Sequence, residues 1–186
     1  TAPTFSVPEF SFVNVPTLFC CALLGLLCVP ASYLYAKIYY KVEDFFSSWQ
    51  IPNWAKPAVG GILCGLVALL FPQAMGGTWD YVENMTRLVD SEHSPSVFFL
   101  LGLVVAKILA TSFTVGSGGA GGVFGPSLFL GGVLGAAFAV SVETLAPGLL
   151  QKPGAMALVG MGAFFAGATK APLAGVVMVC EMTGSY

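Results

Sequence analysis

Apolar residues along this chain come in long unbroken blocks, without the alternation that a half-solvated strand or a surface helix would show. Leu18 to Ala36 carries no charge, and its helical pattern continues through Lys37, Lys41 and Glu43 to about Phe46. That length can cross a bilayer at a tilt, and Pro30 is placed to kink it. A polar turn, Ser47 to Lys56, precedes Pro57 to Phe71, a block too short for an untilted span. Gly76-Gly77 then leads into an amphipathic stretch, Trp79 to Val89, which holds Asp80, Glu83 and Arg87 and is expected at an interface. A third block runs from Ser96 to about Val115 with Lys107 as its single charge. Ile108 to Val142 is uncharged but is broken by Gly116, Gly118, Gly119, Gly121, Gly122 and Gly125. A helix continuing through these positions would lose roughly 0.8–1 kcal/mol per glycine relative to alanine. The spacing therefore predicts a loop there and a new helix starting near Pro126, since proline suits the first helical position. Two short blocks follow, Gly154 to Thr169 and Ala171 to Cys180, divided by Lys170 and Pro172; neither is long enough to cross alone.

The pattern predicts an all-α polytopic membrane protein with tilted and broken helices, and composition agrees. Hydrophobic residues make up 56% of the 186 and charged ones 9%, against about 25% charged in a soluble domain. Mean hydropathy is +0.86. A net charge of -2 gives no basic field for nucleic acid, so no nucleic-acid partner is expected. Cys20, Cys21, Cys28, Cys64 and Cys180 lie in apolar blocks without the CxxC spacing of metal or redox sites and read as small buried hydrophobes. No cofactor is expected. Gly61 with Gly65, Gly131 with Gly135, and Ala163 with Gly167 offer small-xxx-small faces for close helix packing. Thr1-Ala2-Pro3 has no initiator Met, and the last residues follow an apolar run without a polar tail, so the chain reads as an excerpt of a longer protein. Lys37, Lys41 and Lys56 flank the first connection, while Asp80, Glu83, Asp90 and Glu92 gather in the second; the first is placed in the cytoplasm and the second outside.

The glycine cluster carries the chemistry. The first turn of a helix leaves backbone N–H groups unpaired and bears the positive end of the helix dipole, equivalent to roughly half a charge. Within a membrane such an end suits an anion, because N–H donors replace the water that the ion loses. The candidate donors are the amides of Val123 and Phe124, with Gly121, Gly122, Gly125 and Pro126 shaping the loop and the helix start. Pro126 has no N–H to offer. A partial charge also lets the ion leave, as transport requires.

Gly122-Val123-Phe124-Gly125-Pro126, within Gly116-Ser-Gly-Gly-Ala-Gly-Gly-Val-Phe-Gly-Pro-Ser-Leu128, resembles the GxFxP signature of the CLC family of chloride channels and chloride/proton antiporters. Pro72-Gln-Ala-Met-Gly-Gly-Thr-Trp79, Gly160-Met-Gly-Ala163, Lys170-Ala-Pro-Leu-Ala-Gly175 and Glu181-Met-Thr183 are similar to other segments of that family in order and spacing. The resemblance implies that residues 1–186 form one partial domain, most of the second inverted repeat of the membrane fold, roughly helices J to P. It implies transmembrane transport of chloride or other small anions by a homodimer set in lipid. Val123 and Phe124 would bind the ion through their amides, and Ala171 to Thr183 would contribute to the dimer interface. It also implies that a serine-bearing loop, a gating glutamate and an anion-coordinating tyrosine lie outside this chain. Channel and antiporter stay undivided at this point.

Other classes have sequence support of their own. Gly116-Ser-Gly-Gly-Ala-Gly121 fits GxGxxG with Glu143 downstream, but a dinucleotide fold needs strands where both flanks read as apolar helices. An intramembrane enzyme would need a base near Ser117, and the chain's one histidine, His93, lies in an acidic turn where it reads as a solvated loop residue. A membrane scaffold without transport would explain the small-residue faces but not the glycine-to-helix junction. Lys107 is expected to snorkel or to meet a carboxylate, Lys170 to sit in a short polar turn, and Glu181 to sit at a helix end.

Overall fold

The computed structural model describes residues 15–75, 78–89, 95–150 and 152–183. Gly76, Gly77, the Asp90–His93 turn and Tyr186 lie outside the described residues. Among the described residues, helices α1 (Val15–Ser48), α2 (Lys56–Leu70), α3 (Thr78–Val89), α4 (Val97–Gly116), α5 (Phe124–Leu145), α6 (Ala155–Thr169) and α7 (Pro172–Thr183) make up the fold, with a 3-10 turn, Pro72–Ala74, after α2. Among the described residues there is no strand.

Three of these helices, α1, α4 and α5, are long and apolar enough to cross a membrane. At 1.5 Å per residue, α1 with its 34 residues is about 51 Å long, well beyond a hydrocarbon core of about 30 Å, so it tilts across the bilayer or projects from it. Pro30 lies within it. Helices α2, α6 and α7 are shorter apolar elements. Between α6 and α7 the chain turns at Lys170, which takes the left-handed conformation at φ 57° and caps α6.

Helices α5 and α6 form the centre, and their closest approach is made by backbone at small residues. A Cβ on Gly131 would strike the Gly160 carbonyl, and one on Gly135 would strike the Met156 carbonyl. The expected small face on α5 is thus occupied. Gly167 of α6 meets Ser32 of α1, beside a tilted Tyr35–Phe164 ring pair at 6.0 Å. Gly61 and Gly65 behave differently: nothing lies within 4 Å of the Cβ either would carry. On α2 it is Gly60 that makes the close approach, against Ser117 and the Phe113 carbonyl of α4.

Helix α3 is amphipathic as predicted, yet it is docked rather than lying free. Val82, Met85 and Val89 are buried, Val82 sits against Gly132, and Tyr81 stacks on Phe129 of α5 at 5.4 Å. The outer surface reverses the usual soluble pattern. Phe98, Leu145, Trp54 and Leu69 are each more than three-quarters exposed, as suits lipid or further protein. Several hydroxyls within helices return their protons to the preceding turn: Ser32 to the Val29 carbonyl at 2.9 Å, Thr114 to Ala110 at 2.8 Å and Ser141 to Ala137 at 2.7 Å. A polar side chain is thereby satisfied without water.

Gly135→Val should lower the stability of the full-length protein in detergent by about 1–3 kcal/mol, the usual range for overpacking. Gly61→Ala, which meets open space, should change it by less than about 0.5 kcal/mol. Thermal unfolding of the two variants side by side checks this; equal losses would mean that the backbone contact of α5 on α6 does not limit stability.

Candidate anion site

Helix α4 ends in a hydrogen-bonded turn. Gly118 adopts φ 87°, a left-handed conformation that suits glycine, and its N–H donates to the Val115 carbonyl at 3.0 Å. The N–H of Gly119 donates to the Thr114 carbonyl at 3.1 Å, completing a Schellman motif. Ser117 caps α4, is buried, and gives its hydroxyl proton to the same Thr114 carbonyl at 3.0 Å. That hydroxyl is therefore engaged structurally, and helices rather than strands flank the glycines, so the geometry supports neither the nucleophile nor the dinucleotide reading.

Helix α5 begins in the opposite manner. Val123 is its N-cap residue, Phe124, Gly125 and Pro126 are its first three helical residues, and no side chain caps it. The helix thus starts two residues earlier than the position that suits proline best. Its first-turn N–H groups have no acceptor in any case, so proline is tolerated throughout that turn. The first amide of this end to bond is that of Ser127, to the Val123 carbonyl at 3.0 Å. Among the described residues the amides of Val123, Phe124 and Gly125 donate no hydrogen bond. Gly121 and Gly122 approach this end outside any regular element, and all four of Gly121, Gly122, Val123 and Phe124 are exposed.

The helix end is held firmly. The Phe124 ring meets Phe165 of α6 edge-on at 5.2 Å, and the buried Ser127 hydroxyl donates to the Phe124 carbonyl at 2.7 Å. Gly121, Gly122 and Pro126 also line an open cavity of about 190 Å³, whose lining includes Lys107, Thr111 and Cys64. Lys107 departs from expectation. It neither snorkels nor meets a carboxylate among the described residues; it is 8% exposed, donates to the Ala74 carbonyl at 2.7 Å, and lies 4.7 Å from the centre of the Phe129 ring.

The structure therefore gathers Gly121, Gly122, Val123, Phe124, Gly125 and Pro126 at one helix start. The sequence reading gave Gly125 a part in shaping the loop and the helix start but not an open amide, which it has as Phe124 does, and it expected Lys107 to snorkel or to meet a carboxylate. The available signal was the isolation of that lysine, the single charge between Ser96 and Val142.

Residues 1–186 match the family described as voltage gated chloride channel. The chain belongs to that family. Among curated relatives of this chloride channel family, the chain is 34% identical over 184 residues to the H(+)/Cl(-) exchange transporter ClcA of Yersinia pestis bv. Antiqua (strain Angola), covering 97% of this chain and 37% of that protein. It is 33% identical over 190 residues to the same-named transporter of Citrobacter koseri, covering 100% of this chain and 39% of that protein. A crystal structure of a slow cyanobacterial Cl-/H+ antiporter superposes with a TM-score of 0.78 at 28% identity, covering 98% of this chain and 42% of that one. The chain thus has the fold of the corresponding part of a CLC antiporter and is an integral, multi-pass membrane segment. These relatives are transporters rather than enzymes, which disfavours the intramembrane hydrolase and the inert scaffold alike.

Proposed function

We infer that the protein containing this chain moves chloride across a membrane, and that the start of α5 supplies part of the anion's coordination through main-chain N–H groups. One observation carries the reading: three consecutive amides, those of Val123, Phe124 and Gly125, have no acceptor at the positive end of a 22-residue apolar helix. An unsatisfied N–H is unfavourable in an apolar setting by roughly 1–3 kcal/mol, and three together call for an acceptor. A halide meets that need. The donors are fixed by the Phe124–Phe165 contact, so little reorganisation accompanies binding.

The relatives, named as proton/chloride exchangers, favour exchange with protons over a passive channel. The chain spans about two-fifths of the length of those relatives, so the activity is that of a larger assembly of helices. In the homodimer that the resemblance implies, α7 contributes to the subunit interface. Leu173, Val176 and Val177 on this helix are well exposed and apolar, in keeping with a covered surface.

Replacing the Phe124 amide by an ester, through an α-hydroxy acid analogue in the full-length protein, removes the donor and keeps the side chain. Chloride affinity should fall about tenfold, the usual loss for a hydrogen bond to a charged partner. Phe124→Leu should leave it within about twofold. Proline at 124 is a poorer probe, because Val123 before it is in the αR region that proline disfavours in its predecessor. Chloride efflux from liposomes reads the result, and full affinity in the ester variant would remove the site from the pathway.

A chloride gradient across those liposomes should drive protons against their own gradient. Chloride movement with no proton movement would leave the channel reading in place of the exchanger. For the interface, Val176→Trp should shift the detergent-solubilised protein from dimer towards monomer by light scattering; an unchanged dimer would place the interface elsewhere.

A further inference from the structure

Cys64 has the profile of a small buried hydrophobe in the sequence, yet the fold gives it a chemical partner. Its thiol donates towards the Met75 Sδ at 3.7 Å, and the two residues are 11 positions apart in the chain. Cys64 is a free cysteine, 8% exposed, within α2, whereas Met75 follows the 3-10 turn and is 56% exposed. A thiol and a thioether are both soft, polarisable donors.

The backbone around both sulfurs is held. The Met75 N–H donates to the Pro72 carbonyl at 3.1 Å, and the Ala74 carbonyl before it accepts from Lys107 of α4 at 2.7 Å. Cys64 stands about one turn after Gly60, whose close approach to Ser117 and the Phe113 carbonyl fixes α2 on α4. Cys64 and Met75 both border the open cavity of about 190 Å³. Thr111, 6% exposed, borders it too, and its hydroxyl makes no hydrogen bond among the described residues. A guest therefore meets two soft donors and one unengaged hydroxyl. An ion about 2.3 Å from each sulfur, the usual metal–thiolate distance, would subtend an S–metal–S angle of about 107°. That is close to tetrahedral and leaves its other positions to water or a halide in the cavity.

Lys107 borders the same cavity and limits the charge of such an ion. When a monovalent ion replaces the thiol proton, which leaves to water, the resulting thiolate–metal pair has no net charge, just as the thiol had none. The ammonium then opposes the ion no more than it opposed the thiol. A divalent ion would add a positive charge beside a buried cation, which is unfavourable.

We propose that Cys64 and Met75 form a binding site for a soft monovalent cation of the Cu(I) or Ag(I) class, held by thiolate and thioether sulfur. The site is separate from the main-chain amides and does not depend on the chloride-pathway reading.

The test is anaerobic competition for Cu(I) between the full-length protein in detergent and a coloured chelator. Wild type should take up one tightly held Cu(I) per protomer that Cys64→Ser lacks. Met75→Leu keeps the bulk and removes the sulfur; it should bind that ion about tenfold more weakly, the lower end of what loss of a supporting group does to a metal site, with an unchanged melting temperature. X-ray absorption of the bound copper should show one sulfur neighbour fewer in the same variant. Wild-type affinity in Met75→Leu would leave a lone thiol and overturn the paired site, as would a full complement of Cu(I) in Cys64→Ser. Should Cys64→Ser not fold, Met75→Leu decides by the same comparison. Zn(II) at equal concentration should not displace the ion; displacement would overturn the assignment to a monovalent cation.

Discussion

Hydrocarbon offers no partner to a peptide group, and the chain between Gly116 and Phe124 answers that constraint in two opposite ways. On the α4 side the Thr114 and Val115 carbonyls are paired internally: Gly118 bends into the left-handed region, its neighbour reaches back to Thr114, and Ser117 adds its hydroxyl. On the α5 side three amides are left open, without a capping side chain and with proline standing where a further N–H would be. Two helix ends eight residues apart thus differ in kind, one closed and one presenting donors.

The rest of the fold serves to hold that open end still. Gly131 and Gly135 bring the α5 backbone onto that of α6, and Phe124 and Phe165 join the same two helices at the site. Tyr81 and Val82 of α3 brace the opposite flank through Phe129 and Gly132. Each contact is short and involves either a glycine or a ring, with little freedom to slide. The same Phe129 lies under Lys107, so α3, α4 and α5 meet around one aromatic ring. A displacement of that ring would reach both the brace and the buried charge.

Much of this was legible in the sequence because the strongest signals are local. Uncharged blocks marked the helices, the glycine cluster marked the break, and Pro126 marked the first turn of α5 to within two residues. What escaped were properties that depend on neighbours distant in the chain. Gly61 and Gly65 have the spacing of a packing face but meet nothing, whereas Gly60 makes the contact, because the orientation of α2 against α4 is set by tertiary packing. Trp79 to Val89 had the profile of a surface helix, and only the presence of Gly132 and Phe129 shows where its apolar side docks. Lys107 read as a charge that snorkels or meets a carboxylate, since no rule of spacing brings it to Ala74, 33 residues away.

An open helix start built from Val123, Phe124 and Gly125 also has a consequence for acidity. Peptide hydrogens are not released at any acidity a cell experiences, so this cluster keeps the same donor count in acid and in alkali. Whatever pH sensitivity the parent protein shows must be imposed by ionisable groups outside the cluster, acting on an ion seat that is itself indifferent to protons.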